Sequence, residues 1–176
     1  MTALKAWIDA NVVAGKKGQA SKVTGNMVSE FAAKYSKLGA ADGDGSILAF
    51  ALLPADAVVT ELKLNAAALA GFSSVSVGLY KLDTDGQTFL DTAKSDGTSA
   101  KAIFLALSDL SGGFAIGSEK NCLAAVAVGD LGKKIWELLG YTDVKNIDGG
   151  YVLALTAATS GTAAGDMALK GRYIQG

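Results

Sequence analysis

From residue 42 onward, apolar residues fall into short blocks separated by turn-forming tracts, and the blocks have the length and rhythm of strands. Asp42, Gly43, Asp44 and Gly45 open the pattern as a turn, because glycine tolerates positive φ and aspartate bonds its own backbone. The run 47–53 (ILAFALL) is almost continuously apolar and predicts a strand. Pro54 to Ala57 interrupt it, and 58–64 (VVTELKL) then alternate, with Val59, Glu61 and Lys63 expected on one face and Val58, Thr60, Leu62 and Leu64 on the other. The sole proline thus falls between two strands, where its missing N–H costs nothing. Residues 75–82 (VSVGLYKL) predict another strand, closed by the turn 83–86. Residues 87–120 read as a long decorated excursion holding one short apolar stretch, 102–107. Residues 123–128 (LAAVAV) have the composition of a strand. Over 130–141 the spacing of Leu131, Ile135, Trp136, Leu138 and Leu139 predicts a short helix, with Gly140 as its C-cap. The chain ends in two more strands, 151–157 and 167–174, expected to form a hairpin around a Gly/Thr/Ser tract. Strands at this spacing with few helices predict a β-sandwich or barrel.

The first part of the chain reads differently. Residues 1–22 mix a helix-like start with the flexible tract GKKGQAS, and their few large apolar groups cannot form a core alone. They are expected to be an N-terminal arm that is ordered only by lying on something else. Residues 23–38 fit two periods. Val28, Phe31, Ala32, Tyr35 and Leu38 match a helix, whereas Phe31, Ala33 and Tyr35 alternate as a strand would.

Composition narrows the function classes. At 176 residues the chain fits one domain plus an arm. Half of the residues are hydrophobic and only 19% are charged, low enough to imply that a partner covers part of the surface. A formal charge of −1 argues against an electrostatic grip on nucleic acid, and Lys16, Lys17 and Lys133, Lys134 are only doublets. No apolar stretch approaches the roughly 20 residues of a membrane helix, and the start lacks the apolar core of a signal peptide. A cytoplasmic folding environment is the expectation.

Chemistry is sparse. Without histidine, Ser-His-Asp and Cys-His arrangements are impossible, and the commonest transition-metal ligand is missing. The single cysteine, Cys122, sits in an apolar run as a buried, inert thiol and can form no intrachain disulfide. Asp83, Asp85 and Gln87 alternate like calcium ligands, but Gly86 and Lys94 stand at the wrong places of an EF-hand loop. Asp42, Asp44 and Ser46 fail likewise. Gly15 to Gly18 and Gly129 to Lys134 lack phosphate-loop spacing. The expectation is no catalytic residue, no metal and no cofactor.

Two stretches carry a resemblance. The first is 43–86, an acidic-glycine turn, an apolar strand, a Pro-centred turn, an alternating strand, then a strand ending Val77, Gly78, Leu79, Tyr80. The second is 149–175, an apolar strand, a Gly-Thr-Ala-Ala-Gly loop and a closing strand with an aromatic. Together they resemble the small head-decoration (capsid cement) proteins of tailed bacteriophages. The resemblance places a strand over 23–38. It implies an all-β fold, a β-sandwich of jelly-roll type over 23–176, with the N-terminal arm 1–22 and one short helix. It further implies a virion protein on the capsid surface, homotrimeric, binding the major capsid protein and fastening its subunits, with no membrane or nucleic-acid partner. Leu4, Trp7, Ile8, Val12, Val13, Lys16 and Lys17 of the arm are the expected interface residues. The rival readings are a tail, neck or baseplate component, a receptor- or carbohydrate-binding module, and a carboxylate-pair hydrolase.

Overall fold

A computed structural model describes residues 3–4, 27–37, 45–83, 88–91, 93–114, 118–144, 150–159 and 164–175. Its strands are β1 (Ala3–Leu4), β2 (Met27–Lys37), β3 (Ile47–Pro54), β4 (Ala57–Ala66), β5 (Ser74–Leu82), β6 (Phe89–Leu90), β7 (Leu105–Ser108), β8 (Lys120–Asn121), β9 (Gly150–Thr159) and β10 (Gly165–Gln175). They form two sheets. The larger has the order β1-β3-β9-β5-β6, with β7 also on β5, and the smaller has the order β2-β10-β4-β8. Every pairing is antiparallel except β1 with β3.

Eight of these strands form a nested ribbon: β2 pairs β10, β3 pairs β9, β4 pairs β8 and β5 pairs β7. Winding that ribbon about the core brings β10 beside β4 and β9 beside β5, which joins its rungs into two four-stranded layers. That is the double Greek key of a jelly roll. Within 23–38, the described residues Met27–Lys37 form a strand, in keeping with the alternation of Phe31, Ala33 and Tyr35.

The core lies between the sheets. Leu48, Phe50 and Leu53 of β3, Val77 and Leu79 of β5, and Tyr151, Leu153 and Leu155 of β9 pack in one buried cluster with Leu62 and Leu64 of β4 and Met167 and Leu169 of β10. The larger sheet has a second apolar layer on its back, where Ile47, Ala49, Tyr80, Phe89, Val152 and Ala154 are buried together. Burial on both faces explains why 47–53 and 151–155 read as continuous apolar runs rather than as an alternation. The segment from Ala93 to Phe104 closes on the same sheet. The Leu79 N–H donates to the Ala100 carbonyl at 3.0 Å, and the Phe104 N–H to that of Val77 at 3.1 Å.

Four sequence expectations need correction. Strict alternation put Val59 on the face of Glu61, yet Val59 is buried with Leu62 and Leu64. A register shift between Arg172 and Tyr173 skips Thr60, and this bulge flips the pleat within β4. The two C-terminal strands are not a hairpin: β9 and β10 lie in different sheets, because the ribbon sends them to opposite layers. Residues 123–128 are not a strand but two 3₁₀ turns, Cys122–Ala125 and Val128–Asp130. The Asn121 side chain accepts the Leu123 N–H at 3.0 Å and starts the first turn. Finally, the helix α1 is a single turn, Ile135–Leu138. Gly132, at φ 84°, breaks the chain before it, and Gly140, at φ 79°, stops it as expected.

Candidate interaction surface

The outward face of the smaller sheet is a ladder of ions. Arg172 on β10 lies between two carboxylates, its Nε 2.6 Å from Glu30 on β2 and its Nη1 3.6 Å from Glu61 on β4. Lys63 pairs with Glu61 at 2.8 Å, Lys170 with Glu119 at 3.0 Å, and Lys34 with Asp166 at 2.7 Å. Ser36 Oγ donates to Asp166 at 2.6 Å. The hydrogen bond from Lys63, and its charge, hold the Glu61 carboxyl below its ordinary value. Lys34 and Ser36 do the same for Asp166. Because most of these side chains lie in water, the pairs add little to stability. The ladder sets register and solubility more than stability.

An apolar lobe projects at the end of the sandwich, where β8 leaves the smaller sheet. Asn121 caps its first turn, and the buried Cys122 anchors it in the core. Beyond the anchor, Ala124, Ala125 and Ala127 are exposed, Val128 is 86% exposed and Leu131 52% exposed. An alanine or lysine at such places would be ordinary. A fully presented valine beside a leucine is surface the fold does not use. Farther along, the Trp136 N–H donates to the Ala55 carbonyl at 3.1 Å, seating α1 on the β3–β4 turn. The half-buried Trp136, with Asp56, Lys134 and Val144, lines a shallow cavity of about 340 Å³ there.

The rest of the described surface offers little chemistry. Among the described residues no three His, Cys, Asp or Glu side chains gather as metal ligands. Burial pushes the Cys122 thiol up to about 12, so it is protonated at neutral pH and a poor nucleophile. Lys81 Nζ donates to Tyr141 Oη at 2.7 Å and lies 5.3 Å from that ring's centroid. Tyr141 Oη donates onward to the Ala93 carbonyl at 3.3 Å. This polar node fastens the segment after α1 to β5 and to the Ala93 segment on the core side.

Of the arm residues expected at an interface, Leu4 lies in β1, in register with Leu48 on the edge of the larger sheet. Trp7, Ile8, Val12, Val13, Lys16 and Lys17 lie outside the described residues, as do Asp42, Asp44, Asp85 and Gln87 of the acidic turns. The lobe at 122–131 was missed from sequence because its Val-Ala run imitates a strand. The available signal was Asn121 directly before it and Gly129 and Gly132 within and after it.

No protein-family model matches the sequence, and no curated protein matches it. Among solved structures, a chain of the capsid of Ralstonia phage GP4 superposes with a TM-score of 0.51 at 17% identity, over 87% of this chain and 86% of that one. A chain from the capsid asymmetric unit of Cyanophage Pam1 gives 0.49 at 14% identity, over 98% of this chain and all of that one (100%). At such identities only architecture is comparable: the protein is an all-β sandwich whose fold recurs in a chain of the Ralstonia phage GP4 capsid.

Proposed function

We propose that the protein is a structural component of a bacteriophage virion, bound to the outside of the head, where it fastens neighbouring major capsid subunits. The observation that carries this reading is the likeness to the Ralstonia phage GP4 capsid chain over 87% of one chain and 86% of the other, which makes the two nearly equal in length. The exposed apolar lobe at 122–131 supports it, since that surface gains free energy only when a partner covers it.

The mechanism is mechanical. The jelly roll keeps its own core, while the lobe and the arm, residues 1–22, cover seams between shell subunits. Trp7 and Ile8, with Leu4, Val12 and Val13, provide apolar contact, and Lys16 and Lys17 provide charge. Each Å² of apolar surface removed from water on binding contributes roughly 25 cal/mol. Three copies about a threefold axis attach through several sites at once, so modest contacts add to firm binding.

Locating and counting the chain in the density of an intact particle tests the reading. Hundreds of copies on the outer shell are expected. A few copies at the tail, neck or baseplate would overturn it. Deleting residues 1–22 is expected to leave the sandwich folded and to weaken attachment to heads. Unchanged attachment would remove the arm from the mechanism.

A further inference from the structure

Sheet edges invite other strands, and β2 is the longest edge strand among the described residues. Along the larger sheet, β1 covers β3 only at Ile47 and Leu48 and Pro54 ends that strand, while β6 and β7 at the other side are short, as is β8 in the smaller sheet. β2 is different. It runs eleven residues, Met27–Lys37, against β10 with no bulge or register shift. It contains no proline, and Glu30 and Lys34 lie on its exposed face rather than across the edge. On its far side it has no partner strand among the described residues.

We infer that β2 is a homotypic docking edge: the β2 strands of two copies pair antiparallel about a twofold axis at Ala32, joining their smaller sheets into one. The choice of a second copy rests on charge. Glu30 and Lys34 stand at equal distances on either side of Ala32. A twofold axis there sets Glu30 opposite the partner's Lys34, and Lys34 opposite the partner's Glu30. Val28 then faces the partner's Ser36, and Phe31 faces the partner's Ala33 on the core side.

The existing ladder continues through this seam without a like-charge contact. Reading from β4 outward, Glu61, Arg172 and Glu30 alternate in sign, and the partner's Lys34 and Asp166 continue the alternation. Glu30 is 62% exposed and Lys34 56%, so each keeps room for a second ionic partner beside the one it has. Ala32 is exposed and small, which lets two strands approach at the axis. A strand of unrelated sequence would pair with the same backbone groups, but it would not inherit this symmetric charge match. The pairing is independent of attachment to a head. It is also compatible with threefold clusters, which it would link across the twofold axes between them.

Cysteine pairing in the full-length protein tests the register. Cys122 is buried and protonated, so introduced thiols are read against a silent background. In concentrated solution under mild oxidation, Ala32→Cys is expected to give a covalent dimer, because only the axial residue meets its own copy at roughly 5 Å between Cβ atoms. Val28→Cys and Ser36→Cys are each expected to stay uncrosslinked alone and to crosslink when mixed. That mixture reads the same register should the Ala32 variant fail to fold. Glu30→Lys and Lys34→Glu should each weaken association about tenfold, two symmetry-related contacts having turned from attraction to repulsion. Mixing those two variants should restore it. A folded protein in which neither Ala32→Cys alone nor the Val28→Cys and Ser36→Cys mixture crosslinks would overturn the inference. Crosslinking of Val28→Cys alone as readily as in the mixture would do the same.

Discussion

At the scale of single residues, Gly78 shows how tightly the Ala93–Phe104 segment closes on β5. A Cβ there would stand 2.1 Å from the Ala100 carbonyl oxygen and 2.3 Å from the Lys101 carbonyl carbon. Both are backbone atoms, so no side-chain rotation relieves the clash. Gly78→Ala must push the crossing segment away and strain the bond from the Leu79 N–H to Ala100. A loss of about 1–3 kcal/mol is expected for such overpacking. In a chain of this size that lowers the melting temperature by roughly 2–12 °C, which calorimetry resolves. An unchanged melting temperature would mean that the segment does not rest on Gly78. Cys122 makes a second residue-level prediction. Its thiol is pushed up to about 12 in the folded chain, mainly by burial. The native protein at pH 8 should therefore react with thiol reagents only as fast as it unfolds, and rapid labelling would contradict the burial. With a folded value above the unfolded one, near 8.5, the stabilisation is complete below that pH and is lost as pH rises towards 12.

Elements differ in how much of them the residues disclose. The strands at 47–53, 58–64, 75–82, 151–157 and 167–174 are all present, each within a few residues of its expected ends. Long apolar or alternating runs bounded by Gly, Asp and Pro leave few alternatives. What composition cannot carry is pairing. The tract after 157 has the chemistry of a hairpin loop, but the same glycines and threonines serve a crossing from one sheet to the other. Nor does a period of two reveal a bulge: strict alternation sets Val59 with Glu61, whereas the pairing with β10 skips Thr60. The candidate surface was less legible still. The lobe at 122–131 owes its shape to one side-chain cap and two glycines, whereas its valines and alanines carry strand-like propensity. Being exposed, it can be changed without harming the core. Val128→Asp with Leu131→Asp should leave stability within about 0.5 kcal/mol for each substitution. The same pair should sharply reduce binding to phage heads in a co-sedimentation assay. Retained binding would show that the lobe is not the contact.

For the whole molecule, the nested ribbon ties the two ends of the fold together. Met27 pairs in register with Gln175, and β10 is hydrogen-bonded on both sides, to β2 and to β4. Contacts of such sequence separation form late, so folding in milliseconds to seconds is expected for this topology. The charge inventory then fixes how the folded state responds to pH. The sequence has no histidine, the side chain whose ordinary titration falls between about pH 5 and 7.5, and its one thiol is pushed far above neutrality. Lys63 holds Glu61 low, Lys34 and Ser36 hold Asp166 low, Thr98 holds Asp96 low, and the Ser111 N–H holds Asp109 low. A carboxyl whose folded value lies below its unfolded one stabilises above the unfolded value and loses that contribution as pH falls through the folded value. These four groups lie in water, so none is decisive, yet all act in the same direction. The melting temperature should therefore stay flat from about pH 5 to 7.5 and decline below about pH 4, where the ladder on the smaller sheet discharges. Reversing Glu61 to Gln should remove part of that acid slope while leaving the plateau flat. A step in stability near pH 6.5 would contradict the scheme, because no side chain in this sequence has an ordinary titration there.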